Sequence, residues 1–241
     1  MPQYEARTYR HQLDDRDLVS FTVKIEESDL FIRADKPLQT LALKCLRQQR
    51  KLLQEYIRQD PEFATTLKPY SVKDTAPDIV RQMAADASSA GVGPMAAVAG
   101  AIAERVGRQL LEHSGEVIVE NGGDIFMRVS RVRRVGIFAG QSPYSEKLAL
   151  EVEPGSDWGI CASSGTVGPS LSFGQADAAV AISHSASLAD AWATRLGNMV
   201  ETKSDVEPTI KFARENSPLK GAMLIIGDKL GVYGEVKLVS L

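Results

Sequence analysis

Residues 119–125 read Val-Glu-Asn-Gly-Gly-Asp-Ile and place a glycine pair between two apolar runs that are typical of strands. Asn-Gly is a strong hairpin signal, because a type I′ turn needs positive φ at both central residues. The same glycines also suit a binding turn, since a backbone without Cβ atoms can approach a phosphate or a flat ring and expose its N–H groups. In that interpretation Asn121, Gly122, Gly123 and Asp124 form a ligand-binding turn, and Asp124 binds a ribose hydroxyl or orients a neighbouring group.

Outward from this turn, short strands and helices alternate along the chain and predict an α+β fold. Residues 19–34 predict a hairpin with Ser28 and Asp29 at its turn, because apolar residues alternate before it. Hairpins mixed with helices favour helices layered on a largely antiparallel sheet. The predicted helices are 38–59, 78–89 (capped by Asp78), 95–113, 188–200 and 208–215, and the other predicted strands are 116–120, 125–129, 135–139, 147–152, 158–162, 176–183, 222–226, 230–233 and 236–238.

The length and composition are those of a globular protein that forms one large domain or two small ones and can bury a full core. The chain has 241 residues, of which 44% are hydrophobic and 24% charged. We expect a single domain over 1–241, in which 1–90 hold the N-terminal hairpin and helices and 91–241 hold the candidate nucleotide and metal site. Glycines 100 and 107 lie inside the alanine-rich helix 95–113, where small residues permit close approach to a sheet or a ligand.

Charge and hydropathy exclude two classes of partner. The net charge is −3, so the global attraction that drives non-specific nucleic-acid binding is absent. No window reaches the roughly 18 apolar residues that a membrane helix needs. Residues 1–17 are polar and lack the pattern of a signal peptide, so we expect a cytoplasmic protein with no nucleic-acid and no membrane partner.

Asp190 and Thr194 lie four residues apart in a predicted helix, so their oxygens share one face. A carboxylate and a hydroxyl suit Mg²⁺, which takes a few protein oxygens and completes its shell with water and phosphate. The alternative is structural: residues 187–190 read Ser-Leu-Ala-Asp, a capping-box pattern in which Asp190 only caps the helix.

Residues 161–168 read Cys-Ala-Ser-Ser-Gly-Thr-Val-Gly and follow a predicted strand. Hydroxyls and backbone N–H groups in such a loop can cradle phosphate, although a plain turn fits equally well. The candidate binding residues are Ser163, Ser164, Gly165 and Thr166. Cys161 is a candidate nucleophile, with a buried inert thiol as the alternative.

The remaining signals are weaker. Residues 91–96 resemble a dinucleotide fingerprint, but a helix precedes them, which excludes a Rossmann unit. His184 is a catalytic candidate because it lies between a predicted strand and the Asp190 helix, with a structural role as the alternative. The basic run 128–134 favours a solvated hairpin over a phosphate site. Two cysteines, Cys45 and Cys161, are too few for a metal tetrad and predict no disulfide framework.

Taken in order, these motifs resemble the ApbE superfamily of flavin-handling proteins, most closely its compact branch. The resemblance covers about residues 89–198 and rests on the glycine-rich helix, Asn-Gly-Gly-Asp, Ser-Ser-Gly and Ala-Asp-Ala-Trp-Ala-Thr. In its transferases FAD is cleaved with the help of Mg²⁺, and the FMN half is attached to a threonine of a target protein. The resemblance implies FAD or FMN and Mg²⁺ as cofactors, with Asp190, Thr194 and the carbonyl of Ala96 as metal ligands. It also assigns residues 122–124 to the flavin nucleotide and 163–165 to its phosphate side.

Two departures from the transferase pattern are visible. Ala99-Gly100 stands where the family usually carries Lys-Gly. Residues 173–179 replace the family's His-x-Ile-Asp-Pro-x-Thr-Gly segment, and Asp177 or His184 are candidates to substitute for its polar groups.

The leading hypothesis is therefore a flavin-nucleotide-binding protein, with Mg²⁺-dependent FMN transfer or pyrophosphate cleavage as its reaction. The branch's association with homocysteine formation gives a second hypothesis, a sulfur-metabolism factor that uses Cys161 as a thiol. The third is a degenerate, non-enzymatic binding subunit. A protein acceptor and a homodimer both stay open as partners.

Overall fold

The strands of the protein form two antiparallel sheets. The computed structural model describes residues 17–165 and 173–241. Eight strands follow one another across the large sheet in the order β1-β2-β3-β4-β7-β8-β9-β10, and the small sheet has the order β11-β6-β5. The strands are β1 (Val19–Ile25), β2 (Ser28–Ala34), β3 (Val117–Asn121), β4 (Asp124–Arg128), β5 (Arg133–Gly136), β6 (Leu148–Val152), β7 (Asp157–Ser163), β8 (Ala178–Ser183), β9 (Gly221–Ile226), β10 (Lys229–Gly234) and β11 (Leu238–Ser240).

Six α-helices and two short 3₁₀ helices complete the described part of the chain. The predicted α+β architecture, with helices on a largely antiparallel sheet, is confirmed. The 3₁₀ helices are Pro94–Ala97 and Lys203–Asp205, and the α-helices are α1 (Gln39–Gln59), α2 (Glu62–Thr65), α3 (Asp78–Ala90), α4 (Val98–Leu111), α5 (Ala186–Asn198) and α6 (Val206–Asn216).

Two local predictions are wrong in detail. The first hairpin turns at Glu26 and Glu27, not at Ser28 and Asp29, which belong to β2 and pair with β1. Glu26 adopts a positive φ of 52°, a conformation that short polar residues and glycine adopt more readily, so sequence alone did not indicate it. Asp78 is the first residue of α3 rather than its cap, because Pro77 occupies the N-cap position without any side-chain hydrogen bond.

The large sheet separates two hydrophobic cores. One face packs against the helices, and its buried residues include Val119, Phe126 and Cys161. The other face packs against the small sheet, where Ile160 and Val180 join Leu150 in a second core. Since alternate residues of a strand point to opposite faces, neighbouring residues of β7 serve different cores.

The basic run 128–134 is more than a solvated hairpin. The Arg133 side chain is 1% exposed, and it forms an ion pair of 2.6 Å with Glu116, which is also buried. A second contact of 2.9 Å joins it to Asp17. Arg131 and Arg134 remain about half exposed, as the prediction requires. The expectation of a solvated run is therefore wrong for Arg133. Its charge can be buried because Glu116 and Asp17 pair with it.

No helix within 17–165 and 173–241 is long and apolar enough to cross a membrane.

Candidate functional site

Helix α5 carries Asp190 and begins beside α4. Its N-cap is Ser185, whose Oγ accepts a hydrogen bond of 3.3 Å from the Leu188 N–H. Asp190 consequently lies in the second turn, so the alternative that it caps the helix is wrong. Glu104 of α4 accepts bonds from Ser185 Oγ at 2.8 Å and from the Ala186 N–H at 2.9 Å. A buried carboxylate therefore anchors the positive end of α5.

A second contact between the same helices holds the Asp190 carboxylate. Its Oδ2 accepts a hydrogen bond of 2.9 Å from the Gly100 N–H. The helices approach so closely here that a Cβ on Gly100 would lie 2.2 Å from the carbonyl oxygen of Ala186. Gly107, in contrast, faces the ring of Phe126 in the sheet. The two glycines therefore permit approach to a helix and to a sheet, respectively.

Asp124 and Cys161 lie next to each other on neighbouring strands, close to the Asp190 carboxylate. The pair Ile125 and Ile160 aligns β4 with β7, which places Asp124 and Cys161 at the next position along the two strands. Asp124 is 8% exposed and Cys161 is fully buried. Cys161 Sγ donates to the Ala186 carbonyl at 3.2 Å. Within the described residues Asp124 Oδ1 is buried and has no hydrogen-bond partner.

Burial and mutual repulsion disfavour negative charge throughout this cluster. Burial raises the pKa of Asp124 to about 7, against a weaker opposing contact with the Cys161 thiol and with added repulsion from Glu120. Although Asp190 is partly exposed as a residue, burial of its carboxylate and the nearby Asp124 raise its pKa well above the usual range. Burial and then the two aspartates also raise the pKa of Cys161 well above its ordinary value. The cluster therefore favours neutral groups unless a cation enters it.

The Asn-Gly-Gly-Asp stretch forms the predicted two-residue turn. Gly122 and Gly123 have φ values of 71° and 109°, and Asn121 pairs with Asp124 across the hairpin. Asn121 Nδ2 donates to the Ala99 carbonyl at 3.1 Å, which ties the turn to the start of α4. The turn thus stands directly beside the helix end from which Gly100 reaches Asp190.

The Ser163–Gly165 segment leaves β7 on the same side. Ser163 is buried, and its Oγ lies 3.5 Å from the position of a Cβ on Gly197 in α5. Gly165 donates to the Ala176 carbonyl at 2.9 Å, and a Cβ on it would overlap the backbone of Gly174. Ser164 Oγ approaches the same carbonyl at 3.5 Å. Thr166 lies outside the described residues.

The predicted metal ligands come from adjacent elements. Thr194 follows Asp190 by one turn of α5, and Ala96 belongs to the 3₁₀ helix Pro94–Ala97, which packs against α5. Over 17–165 and 173–241, no group of three or more His, Cys, Asp or Glu side chains could hold a metal ion. A cation here would therefore need hydroxyl, carbonyl, water or ligand oxygens in addition to carboxylates.

Two candidates lie elsewhere. His184 directly follows β8 and is exposed, and its Nδ1 is 2.8 Å from the carbonyl of Asp157, at the start of β7 and away from Cys161. Asp177 accepts a hydrogen bond of 2.7 Å from the Gly227 N–H, between β8 and the β9–β10 turn. The structure therefore does not bring His184 to the Asp124–Asp190 cluster.

Sequence reasoning missed Glu104 as the residue that anchors α5. A glutamate inside a helix resembles any solvated acidic residue, and its contact with Ala186 spans 82 positions. The signal that was available is its place one turn after Gly100, on the same face of α4.

Comparisons with known proteins agree on one family. The model of the family described as AbpE bacteria matches residues 10–221. Similar proteins include a UPF0280 protein of Methanocella arvoryzae, which is 42% identical over 88% of this chain and 87% of its own length. A UPF0280 protein of Methanosarcina barkeri is 42% identical over 92% of this chain and 90% of its own.

Solved structures with a similar fold include flavin transferases. The apo flavinyl transferase ApbE of Pseudomonas stutzeri superposes with a TM-score of 0.59 at 15% identity, over 90% of this chain and 93% of its own. The flavin transferase ApbE of Vibrio cholerae gives 0.53 at 15% identity, over 90% and 96%. The chain therefore belongs to the AbpE bacteria family, an ApbE-like branch with the fold of the ApbE flavin transferases.

Proposed function

We propose that the protein binds a flavin nucleotide, FAD or FMN, at the cluster of Asp124 and Asp190 together with a divalent cation such as Mg²⁺. The observation that carries this proposal is the buried oxygen Asp124 Oδ1, which finds no partner among the described residues, beside a second carboxylate. Buried polar atoms without partners are rare in proteins, and they call for an explanation such as an ion or a water.

The donor set fits a hard cation. Mg²⁺ is bound through one or two carboxylates and fills its shell with water and phosphate oxygens, so a complete protein cage is not required. Asp190 and Thr194 would supply the side-chain oxygens and Ala96 a backbone carbonyl. Asp124 would contribute its unpartnered oxygen to the cation directly or through a water. A cation would also offset the repulsion that raises the pKa values of both aspartates.

The surrounding backbone suits a nucleotide. Gly122 and Gly123 leave the turn without Cβ atoms, so a flat ring or a phosphate can approach it closely. Ser163, Ser164 and Gly165 would lie on the phosphate side, at the end of β7 that carries Cys161. A flavin nucleotide is also supported by the structural relatives, which are flavin transferases.

The proposed reaction is cleavage of the FAD pyrophosphate, with transfer of FMN to a hydroxyl of a protein acceptor or to water. The cation, when bound, would neutralise charge on the pyrophosphate oxygens. The Gly100 N–H would hold Asp190 in place, and Asn121 would fix the nucleotide turn against α4. Ala99 contributes no charge at the position where the transferases that this sequence resembles usually carry lysine. The charge on the phosphate of the leaving adenosine monophosphate would therefore be stabilised less strongly here than in those transferases.

The thiol hypothesis receives less support from the geometry. Cys161 is fully buried, and its raised pKa disfavours the thiolate, which is the reactive form. A non-enzymatic binding subunit is the second candidate. Ala99 supplies no lysine side chain, and His184 lies too far from the Asp124–Asp190 cluster to act there, so two groups that a transferase would use are missing from the site.

The test is titration of the purified protein with FAD and, separately, with FMN, each with and without Mg²⁺, followed by flavin fluorescence and product chromatography. We expect Mg²⁺-sensitive binding. Release of adenosine monophosphate would identify an enzyme, and binding without release would identify the binding subunit. If neither FAD nor FMN binds under either condition, the proposal fails.

A further inference from the structure

A separate cavity lies on the face of the large sheet that is turned away from Asp190. It has a volume of about 390 Å³ and opens partly to solvent between the two sheets. Ligand pockets for small molecules occupy about 300–1,000 Å³, so this cavity lies at the small end of that range. It is distinct from the candidate site, because Ile160 faces it whereas the adjacent Cys161 faces the helices.

The walls of the cavity are apolar and come from both sheets. Leu150 and Val152 of β6 form one side, and Ile160 and Ile182 of β7 and β8 form the other. These four side chains are at most 4% exposed, so the sheets hold the walls firmly. Such walls offer dispersion contacts and no hydrogen bonds, which favours an apolar ligand.

Trp158 supplies an aromatic surface at the cavity. Its Nε1 donates to the Glu153 carbonyl at 3.0 Å, so the indole N–H is already satisfied and the ring is held in place. An indole whose polar atom is paired interacts with a ligand through its faces and edges, and aromatic pairs gain energy beyond the area that they bury. An aromatic ligand therefore suits this wall better than an aliphatic one.

The charges around the cavity compensate one another. Lys237 pairs with Glu151 and lies 3.5 Å from Glu153, and Lys220 pairs with Glu235 at 3.1 Å. Arg134 adds a contact of 3.4 Å to Glu151. These three glutamates and Lys237 also line the cavity. With each glutamate near a basic group, the lining offers no excess charge, and the desolvation cost of an ion would not be repaid.

We infer that this cavity is a second binding site, which takes a small uncharged aromatic molecule in contact with Trp158. The inference does not rest on the proposed flavin function, since none of the cavity walls belongs to the Asp124–Asp190 cluster. β7 forms part of both sites, through Ile160 on one face and Cys161 on the other.

The experiment uses the neutral dye N-phenyl-1-naphthylamine and the full-length chain. Trp192→Phe leaves Trp158 as the only tryptophan, so energy transfer from protein to dye reports binding near Trp158. We expect saturable binding of one dye per chain, with loss of Trp158 emission. Dye brightening in the unsubstituted protein gives the stoichiometry independently if Trp192→Phe does not fold.

The matched pair Val236→Phe and Val232→Phe locates the dye. Val236 lines the cavity and is half-buried, whereas Val232 is 43% exposed on the edge strand β10 and does not line it. A phenyl ring at 236 should weaken dye binding about tenfold, because it occupies volume that the ligand needs. The same ring at 232 should leave binding unchanged. Absence of saturable binding, or equal affinities in both variants, would overturn the inference.

Discussion

The Gly100 N–H donates a hydrogen bond of 2.9 Å to Asp190 Oδ2, which joins two helices at residues 90 positions apart. The bond depends on glycine, because the carbonyl of Ala186 fills the space where a side chain would begin. Four residues later on α4, Glu104 binds the first N–H of α5. One face of α4 therefore fixes both the start of α5 and the carboxylate that α5 carries.

Gly100→Ala tests this contact. The new Cβ would lie 2.2 Å from Ala186 O and 2.6 Å from Ala186 C, so the helices must separate. We expect a loss of about 3 kcal/mol of unfolding free energy, as for other overpacked sites, together with weaker nucleotide binding. The control is Gly115→Ala, whose Cβ would meet only Asp35 Oδ2 at 3.4 Å. Equal urea denaturation midpoints for the two variants would contradict the geometry.

Asp190→Asn tests the proposed cation site while keeping the side-chain shape. An amide oxygen can still accept the Gly100 N–H, but the negative charge beside Asp124 is gone. We expect the Mg²⁺ dependence of FAD binding to disappear while the thermal midpoint at pH 8 is unchanged or higher. Asp74→Asn, at an exposed position outside the cluster, is the control. Retention of the full Mg²⁺ effect in Asp190→Asn would rule out this residue as a ligand.

Much of the fold was predictable because its signals are local. The Asn-Gly pair and the alternation in β1 each act within a few residues, and the structure confirms the elements that they mark. The predicted strand 135–139 was less accurate, since the observed strand is Arg133–Gly136. It starts two residues earlier, at the Arg133 side chain that Glu116 holds in a buried position. A polar residue that is buried by a distant partner breaks the alternation on which such predictions depend.

The contacts around the candidate site residues were predictable only in part, for a related reason. Glycines and hydroxyls marked the turn at 122–123 and the segment at 163–165, since these residue types have local conformational meaning. The contacts of Asp190 with Gly100 and of Asp124 with Cys161 depend on tertiary packing, and no local rule gives them. The Ser-Leu-Ala-Asp pattern even indicated a cap, because local sequence cannot distinguish the first turn of a helix from the second.

Asp124 should make stability depend on pH. Its pKa is about 7 in the folded protein, above the ordinary value of an aspartate, so the folded state holds a proton that the unfolded state releases. Its contribution is fully present below about pH 4 and is lost as pH rises through 7, with a slope of up to about 1.4 kcal/mol per pH unit. Asp124→Asn should reduce this slope in urea titrations from pH 5 to 8, and Asp190, whose pKa is also raised, accounts for the slope that remains. An unchanged slope would show that Asp124 is ionised when folded.

Cys161 should react slowly with alkylating reagents in the folded protein. It is fully buried and its pKa is raised, so both access and thiolate formation are unfavourable. Cys45, also buried with a pKa raised mainly by burial, gives an internal comparison. Mass spectrometry after iodoacetamide treatment at pH 7.5 should find both thiols unmodified until denaturant is added. Selective modification of Cys161 in the native protein would revive the thiol hypothesis.

Arg133→Met tests whether the buried ion pair supports the small sheet. Removal of the guanidinium would leave the buried Glu116 carboxylate, now 2.6 Å from Arg133, without its cation. Loss of one partner of a buried pair costs about 3–5 kcal/mol, because the remaining charge stays desolvated. Arg134→Met removes an arginine whose side chain is 52% exposed, and it should cost less than about 1 kcal/mol.

The double variant Glu116→Leu, Arg133→Met should regain part of the loss, since it leaves no uncompensated charge. Equal stabilities for the two single variants in urea denaturation would show that solvent reaches Glu116, contrary to its burial.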